Sequence, residues 1–163
     1  MKIIKLALIS VVLLFLLLTA LASLLPGTIR ISRAINIQAT QQQVRDRIAD
    51  LKSWQSWNEY VKAMTHPAVT ADSIHSNELS ITLRSIHRAS IETAWYQQRN
   101  GKTFTGVFNL IPGGPVTTVQ WYFEFHFSWY PWEKFSSITY DKQIGPQMEQ
   151  SLEGLKRSLE QGF

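Results

Sequence analysis

Residues 117–127 read TTVQWYFEFHF. Val119, Trp121, Phe123, Phe125 and Phe127 alternate there with Gln120, Tyr122, Glu124 and His126. Side chains alternate across a strand with a period of two, so this is a half-buried strand with rings along its inner face. A face that apolar needs a cover, and the end of the chain supplies one. Met148, Leu152, Leu155 and Leu159 follow four-three-four spacing, with Glu149, Gln150, Glu153, Lys156 and Arg157 opposite, the stripe of an amphipathic helix. Together the two signals predict an α+β fold, an antiparallel sheet covered by a C-terminal helix.

The neighbouring segments extend this pattern. Pro112-Gly113-Gly114-Pro115 is a turn, and the alternating Phe104, Gly106, Phe108 and Leu110 before it form a strand. Asn100-Gly101 is a hairpin signal, preceded by Ile91, Thr93 and Trp95, and before them by Leu79, Ile81 and Leu83. Ile29, Ile31, Ile35 and Ile37 mark a first strand. Thr40 can cap a helix carrying Val44, Ile48 and Leu51, and Trp54, Trp57 and Tyr60 predict a second short helix packed on it. Gly145-Pro146 is expected to divide a helical stretch over 135–144 from the final helix, with the proline in its first turn.

The chain has 163 residues, 45% hydrophobic, but the apolar residues fall into two kinds. Residues 6–25, LALISVVLLFLLLTALASLL, carry no charge, and ten are Leu. As a helix this run matches the roughly 30 Å of a bilayer core. All the aromatics except Phe15 lie beyond it. We expect residues 1–27 to be an N-terminal membrane anchor, from Leu6 to Leu25, and residues 28–163 to be one folded domain. Ala20-Leu21-Ala22 resembles a signal-peptidase site, but the run continues past it to Pro26-Gly27, which favours a retained span over a cleaved signal. Lys2 and Lys5 precede the span, which puts the N-terminus in the cytoplasm and the domain on the extracytoplasmic, periplasmic side. The same two lysines account for half of the net charge of +4, so the domain is nearly neutral and no nucleic-acid partner is expected. Arg84, His87, Arg88, Arg99 and Lys102, interrupted by Glu92, read as a solvated strand face. The absence of cysteine excludes disulfides, thiolate metal sites and a Cys nucleophile. No cofactor is expected, and the sequence does not point to a protein partner.

Three stretches carry a resemblance. Ser32-Arg33-Ala34-Ile35-Asn36-Ile37-Gln38-Ala39 leads into the Val44 helix. Trp54-x-x-Trp57-Asn58 follows. Asp141-Lys142-Gln143-Ile144-Gly145-Pro146 precedes Met148, Leu152, Leu155 and Lys156. With the order of elements, they resemble the START-like helix-grip superfamily, in its polyketide cyclase/dehydrase (SRPBCC) branch, over about residues 28–161. Residues 66–90 depart from that pattern, and Glu59 stands where a proline often follows the second tryptophan. The resemblance implies a curved sheet gripping the C-terminal helix, with an apolar cavity between them for lipids, sterols or polyketides. Fold alone does not fix function.

On this reading the cavity is lined by Ile81, Trp95, Phe108, Trp121, Phe123, Phe125, Met148 and Leu152. Each of these residues also reads as plain core packing. Trp129, Tyr130 and Trp132 can form an exposed tip at the membrane interface. Among inward positions only Thr93, Gln97 and Arg33 are polar; Arg33 with Tyr140 and Asp141 are weak catalytic candidates, and they form no nucleophile–base set. Arg33 interrupts an Ile series; a bulge turning it outward is favoured over a buried, paired arginine. His66, His75, His87 and His126 have no helical metal-ligand spacing, so no metal is expected; His126 falls on the polar face. His87, Arg88 and Glu92 fit an acid–base group or a solvated edge equally well. Three functions fit: a membrane-tethered domain binding a hydrophobic small molecule or lipid, a cyclase/dehydratase-like enzyme using the same cavity, or a ligand-free interaction or accessory module.

Overall fold

The computed structural model describes residues 2–161 except Trp129, and only the backbone over 135–138. Seven strands form one open antiparallel sheet: β1 (Thr28–Ile37), β2 (Ala68–Val69), β3 (Ser73–His75), β4 (Leu79–Ile86), β5 (Ser90–Gln97), β6 (Lys102–Gly113) and β7 (Val116–His126). The spatial order is β1-β7-β6-β5-β4-β3-β2, so the first strand crosses over to pair with the last. Helix α1 (Lys2–Ser23) precedes the sheet. Between β1 and β2 lie α2 (Gln41–Ala49), a 3-10 turn (Leu51–Ser53), α3 (Trp54–Trp57) and α4 (Glu59–Lys62). Helix α5 (Pro131–Glu160) ends the chain and packs on β1, α3 and α4. This is the α+β helix-grip architecture that the sequence predicts.

Local chemistry explains the boundaries. Thr40 and Gln43 form a capping box at the start of α2. Asn58 splits the predicted Trp54–Tyr60 helix in two. Its backbone N–H donates to Trp54 O, closing α3, while its Oδ1 accepts from the N–H groups of Tyr60 and Val61, starting α4. Gly101 and Gly114 adopt φ of 65° and 77° at the two hairpin turns, a region open to glycine at little cost. Strands β2 and β3, which the alternation does not reveal, have only two and three residues.

Two expectations are corrected. The final helix does not begin at Pro146. It begins at Pro131, where the missing N–H costs nothing, and runs through Gly145-Pro146. Pro146 removes the bond that Lys142 O would accept, and two residues on Tyr60 donates its hydroxyl to Ile144 O at 3.1 Å. Nor does β1 bulge at Arg33: the β1–β7 register is unbroken from Thr28↔His126 to Ile37↔Thr117. Arg33 therefore keeps the inward parity and reaches α5, its guanidinium donating to Glu149 Oε1 (2.6 Å) and pairing with Asp141 Oδ1 (3.0 Å). Gly145 makes room for it, since a Cβ there would collide with the guanidinium.

The core is aromatic. Trp54, Trp57, Trp95, Trp121, Phe108 and Phe123 are fully buried. Phe108 stacks on Trp121 with centroids 4.8 Å apart, and Trp54 and Trp57 close on Phe108 edge-on. Thr93 ties the layers together, donating to Gly106 O and accepting from Trp95 Nε1, each at 2.9 Å. Helix α1 is long and apolar enough to cross a membrane. Among the described residues of α1, Ala22 is the buried one, set where the end of α1 meets α5.

Candidate functional site: a cavity between the sheet and the last helix

A cavity of about 620 Å³ opens at the end of the sheet where β4 begins and β7 ends. That is within the roughly 300–1,000 Å³ range of small-molecule sites. Its walls come from the β5–β6 hairpin, the end of β7 and the first half of α5, with Tyr60 of α4 lining it from below. The inner lining is apolar and largely aromatic: Leu79, Phe104, Phe123, Phe125 and Ile144, with the rings of Tyr60 and Tyr140. Tyr60 stands edge-on to Trp95, Trp121 and Phe123 at 5.4–6.0 Å. Tyr140 stands edge-on to Phe125 (5.1 Å) and Phe127 (5.2 Å). Burial pushes the Tyr60 hydroxyl above the usual tyrosine range, so it stays a neutral donor on Ile144 O.

The mouth is polar. Gln97, Asn100, Lys102, His126, Ser128, Glu133, Gln143 and Gln147 surround it. Glu133 holds the rim together. Its Oε2 accepts from the Ser128 N–H (2.9 Å) and its Oε1 pairs with Lys102 Nζ (3.1 Å), and both hold its carboxyl below the usual range. His126 accepts or donates at Thr28 Oγ1 (3.0 Å). The whole is an apolar pit with a hydrogen-bonding collar, suited to an amphipathic ligand.

Residues 28–160 match the protein family described as polyketide cyclase / dehydrase and lipid transport. The chain belongs to this family. Solved structures of START-like proteins share its fold. A START superfamily protein from Mycobacterium smegmatis superposes with a TM-score of 0.63 at 14% identity, covering 82% of this chain and 99% of that one. CalU16 from Micromonospora echinospora gives 0.57 at 13%, covering 82% and 74%. DynU16, from the dynemicin biosynthetic locus, gives 0.58 at 17%, covering 84% of this chain; the present chain spans only 48% of DynU16. No curated protein sequence matches the chain.

In this member of the polyketide cyclase/dehydrase family, the residues singled out from sequence divide in two. Phe123 and Phe125 line the cavity. Ile81, Trp95, Phe108, Trp121, Met148 and Leu152 are fully or almost fully buried and lie outside that lining. Parity gave their face correctly, but depth along the strand decides what the face meets. Toward the β6–β7 turn Trp54 and Trp57 fill the space; toward the other end the described residues leave the cavity. Tyr60, Phe104 and Ile144 were missed as lining residues. Phe104 shares the parity of Phe108 but stands four residues nearer the open end, a difference in depth that no local pattern marks. Tyr140 lines the cavity, whereas Arg33 and Asp141 pair with each other away from it. Gln97 accepts from Asn100 Nδ2 at the mouth, and Thr93 is buried in its bond to Gly106. His126 is solvent-exposed, as are His87, Arg88 and Glu92. Among the described residues no cluster of His, Asp or Glu is placed to hold a metal. Trp129 lies outside the described residues, and Tyr130 stacks on Trp132 (5.0 Å) at the surface.

Proposed function

We propose that this family member binds a hydrophobic small molecule or lipid in the cavity between sheet and C-terminal helix, while α1 holds residues 28–163 at a membrane on its extracytoplasmic side. The observation that carries the reading is the 620 Å³ cavity with an aromatic interior and a polar collar. Each methylene removed from water there contributes about 0.8 kcal/mol, so six of them contribute roughly 5 kcal/mol before ordering costs. A cavity of that size also favours ligand binding over a solid accessory module. Catalysis has less support, because Arg33 and Asp141 are engaged with one another and Tyr60 is engaged with the backbone. The family's description and the length of α1 agree with a lipid ligand and a tether.

The test uses the full chain in nanodiscs containing a phospholipid with a diazirine at its acyl terminus. Photolysis is expected to label Phe104, Phe125, Tyr140 or Ile144. Labelling confined to residues 2–23 would sink the binding reading. For topology, an alkaline phosphatase fused after residue 163 is expected to be active; an inactive fusion that is present at normal levels reverses the orientation.

A further inference from the structure

The end of the domain that carries the cavity mouth is also the end to which α1 is attached. Only Leu24–Gly27 separate α1 from β1. Four extended residues span at most about 14 Å, and these are not extended. Leu24 and Leu25 continue the turn, their N–H groups donating to Leu21 O (3.2 Å) and Ala22 O (3.0 Å). The segment is fastened on both sides: Lys134 Nζ of α5 donates to Leu25 O (2.7 Å), and the Phe127 N–H donates to Gly27 O (2.8 Å). Lys134 and Phe127 belong to the stretch that also supplies Ser128 and Glu133 to the collar. Beside Ser128 and Glu133 in the chain the Tyr130–Trp132 pair stacks at the surface, Trp132 being 62% exposed, and in the connection itself Leu24 is 81% exposed. Tyr and Trp favour the headgroup level of a bilayer.

We infer that the cavity mouth is seated on the surface of the bilayer that holds α1, with Tyr130 and Trp132 in the interface, so that an acyl chain passes from membrane to cavity without crossing water. The inference rests on the reading of α1 as a membrane span. Its partner is a lipid surface rather than a soluble carrier. The pinned connection fixes the direction in which the mouth looks, and the exposed ring pair occurs beside the mouth rather than at the β6–β7 turn.

The chain has no cysteine, so single labels are unambiguous. Trp132→Cys and, at the opposite end of the sheet, Ile111→Cys (Ile111 being 54% exposed) are labelled with NBD in the full chain. Both are reconstituted into phosphatidylcholine–phosphatidylglycerol vesicles, with flotation confirming insertion. The label at 132 is expected to emit at shorter wavelength and to be quenched by lipid carrying a nitroxide near the headgroup, while the label at 111 reports water. Tyr130→Cys provides a second position should the first variant misfold. Flotation with a water-exposed label at both 130 and 132, or a lipid-exposed label at 111, overturns the seating and leaves the binding reading to the cross-linking result. Failure to float overturns the span, and the seating with it.

Discussion

Gly106 occupies a point at which three side chains converge. A Cβ there would fall 2.7 Å from Trp95 Nε1, 2.8 Å from Thr93 Oγ1 and 2.9 Å from a Phe123 ring carbon. The position thus trades a side chain for the bond network that orients Trp95. Gly106→Ala is expected to destabilise by about 1–3 kcal/mol through overpacking, read as a lower urea midpoint with unchanged slope. Tyr60→Phe should cost about 1 kcal/mol by removing the half-buried hydroxyl's bond to Ile144 O. It should leave the cross-linking pattern unchanged, because the ring that lines the cavity remains; a large change in that pattern would contradict this. At this scale the sequence was informative about face and silent about depth. Phe104 and Phe108 differ by two turns of the alternation and by nothing else in their local pattern. What separates them is whether Trp54 and Trp57 reach across the sheet, a tertiary fact with no local signature. Arg33 is the opposite case: its anomaly is visible in the sequence, but its approach to α5 depends on Gly145, 112 positions away in the chain, where a Cβ would meet the guanidinium.

Among the elements, α5 shows where local rules give way to packing. Gly145-Pro146 has the sequence of a helix boundary, yet the helix continues, held by β1, α3 and α4 along its flank. An interior proline costs a helix about 3 kcal/mol in isolation. Pro146→Ala is therefore expected to raise the melting temperature, and no rise would indicate that a bend there is already relieved elsewhere. The capping box of α2 is a smaller contribution: Thr40→Ala should cost about 1 kcal/mol. The start of α5 depends on pH through Glu133. Its folded-state pKa is depressed below the ordinary glutamate value of 4.5 by the Ser128 N–H first and Lys102 second. Its contribution is hence present above pH 4.5 and lost as pH falls through the lower folded value. Glu133→Gln should flatten that part of an acid-unfolding curve, monitored by near-ultraviolet circular dichroism. The long strands and the C-terminal half of α5 were legible because their periodicity runs for many residues. Strands β2 and β3 were not, because two or three residues cannot display a period.

For the molecule as a whole, the division visible in the composition reappears in space. Leu-rich α1 stands clear of the folded part except at its end, and the aromatics collect inside the sheet–helix layer and at the rim beside that end. If the rim ring pair guides lipid, Tyr130→Ala with Trp132→Ala should slow photolabelling of Tyr140 and Ile144 several-fold without lowering thermal stability; equal rates would detach the pair from uptake. The four-residue connection between α1 and β1 has one more consequence. A carrier that ferries cargo between two separate membranes needs slack, and this attachment has almost none, pinned as it is by Lys134 and Phe127. On the tethered reading the protein cannot shuttle. A protein so held would patrol a single leaflet by lateral diffusion, and whatever it lifted would have to be returned to that leaflet or handed to a neighbour that comes to it.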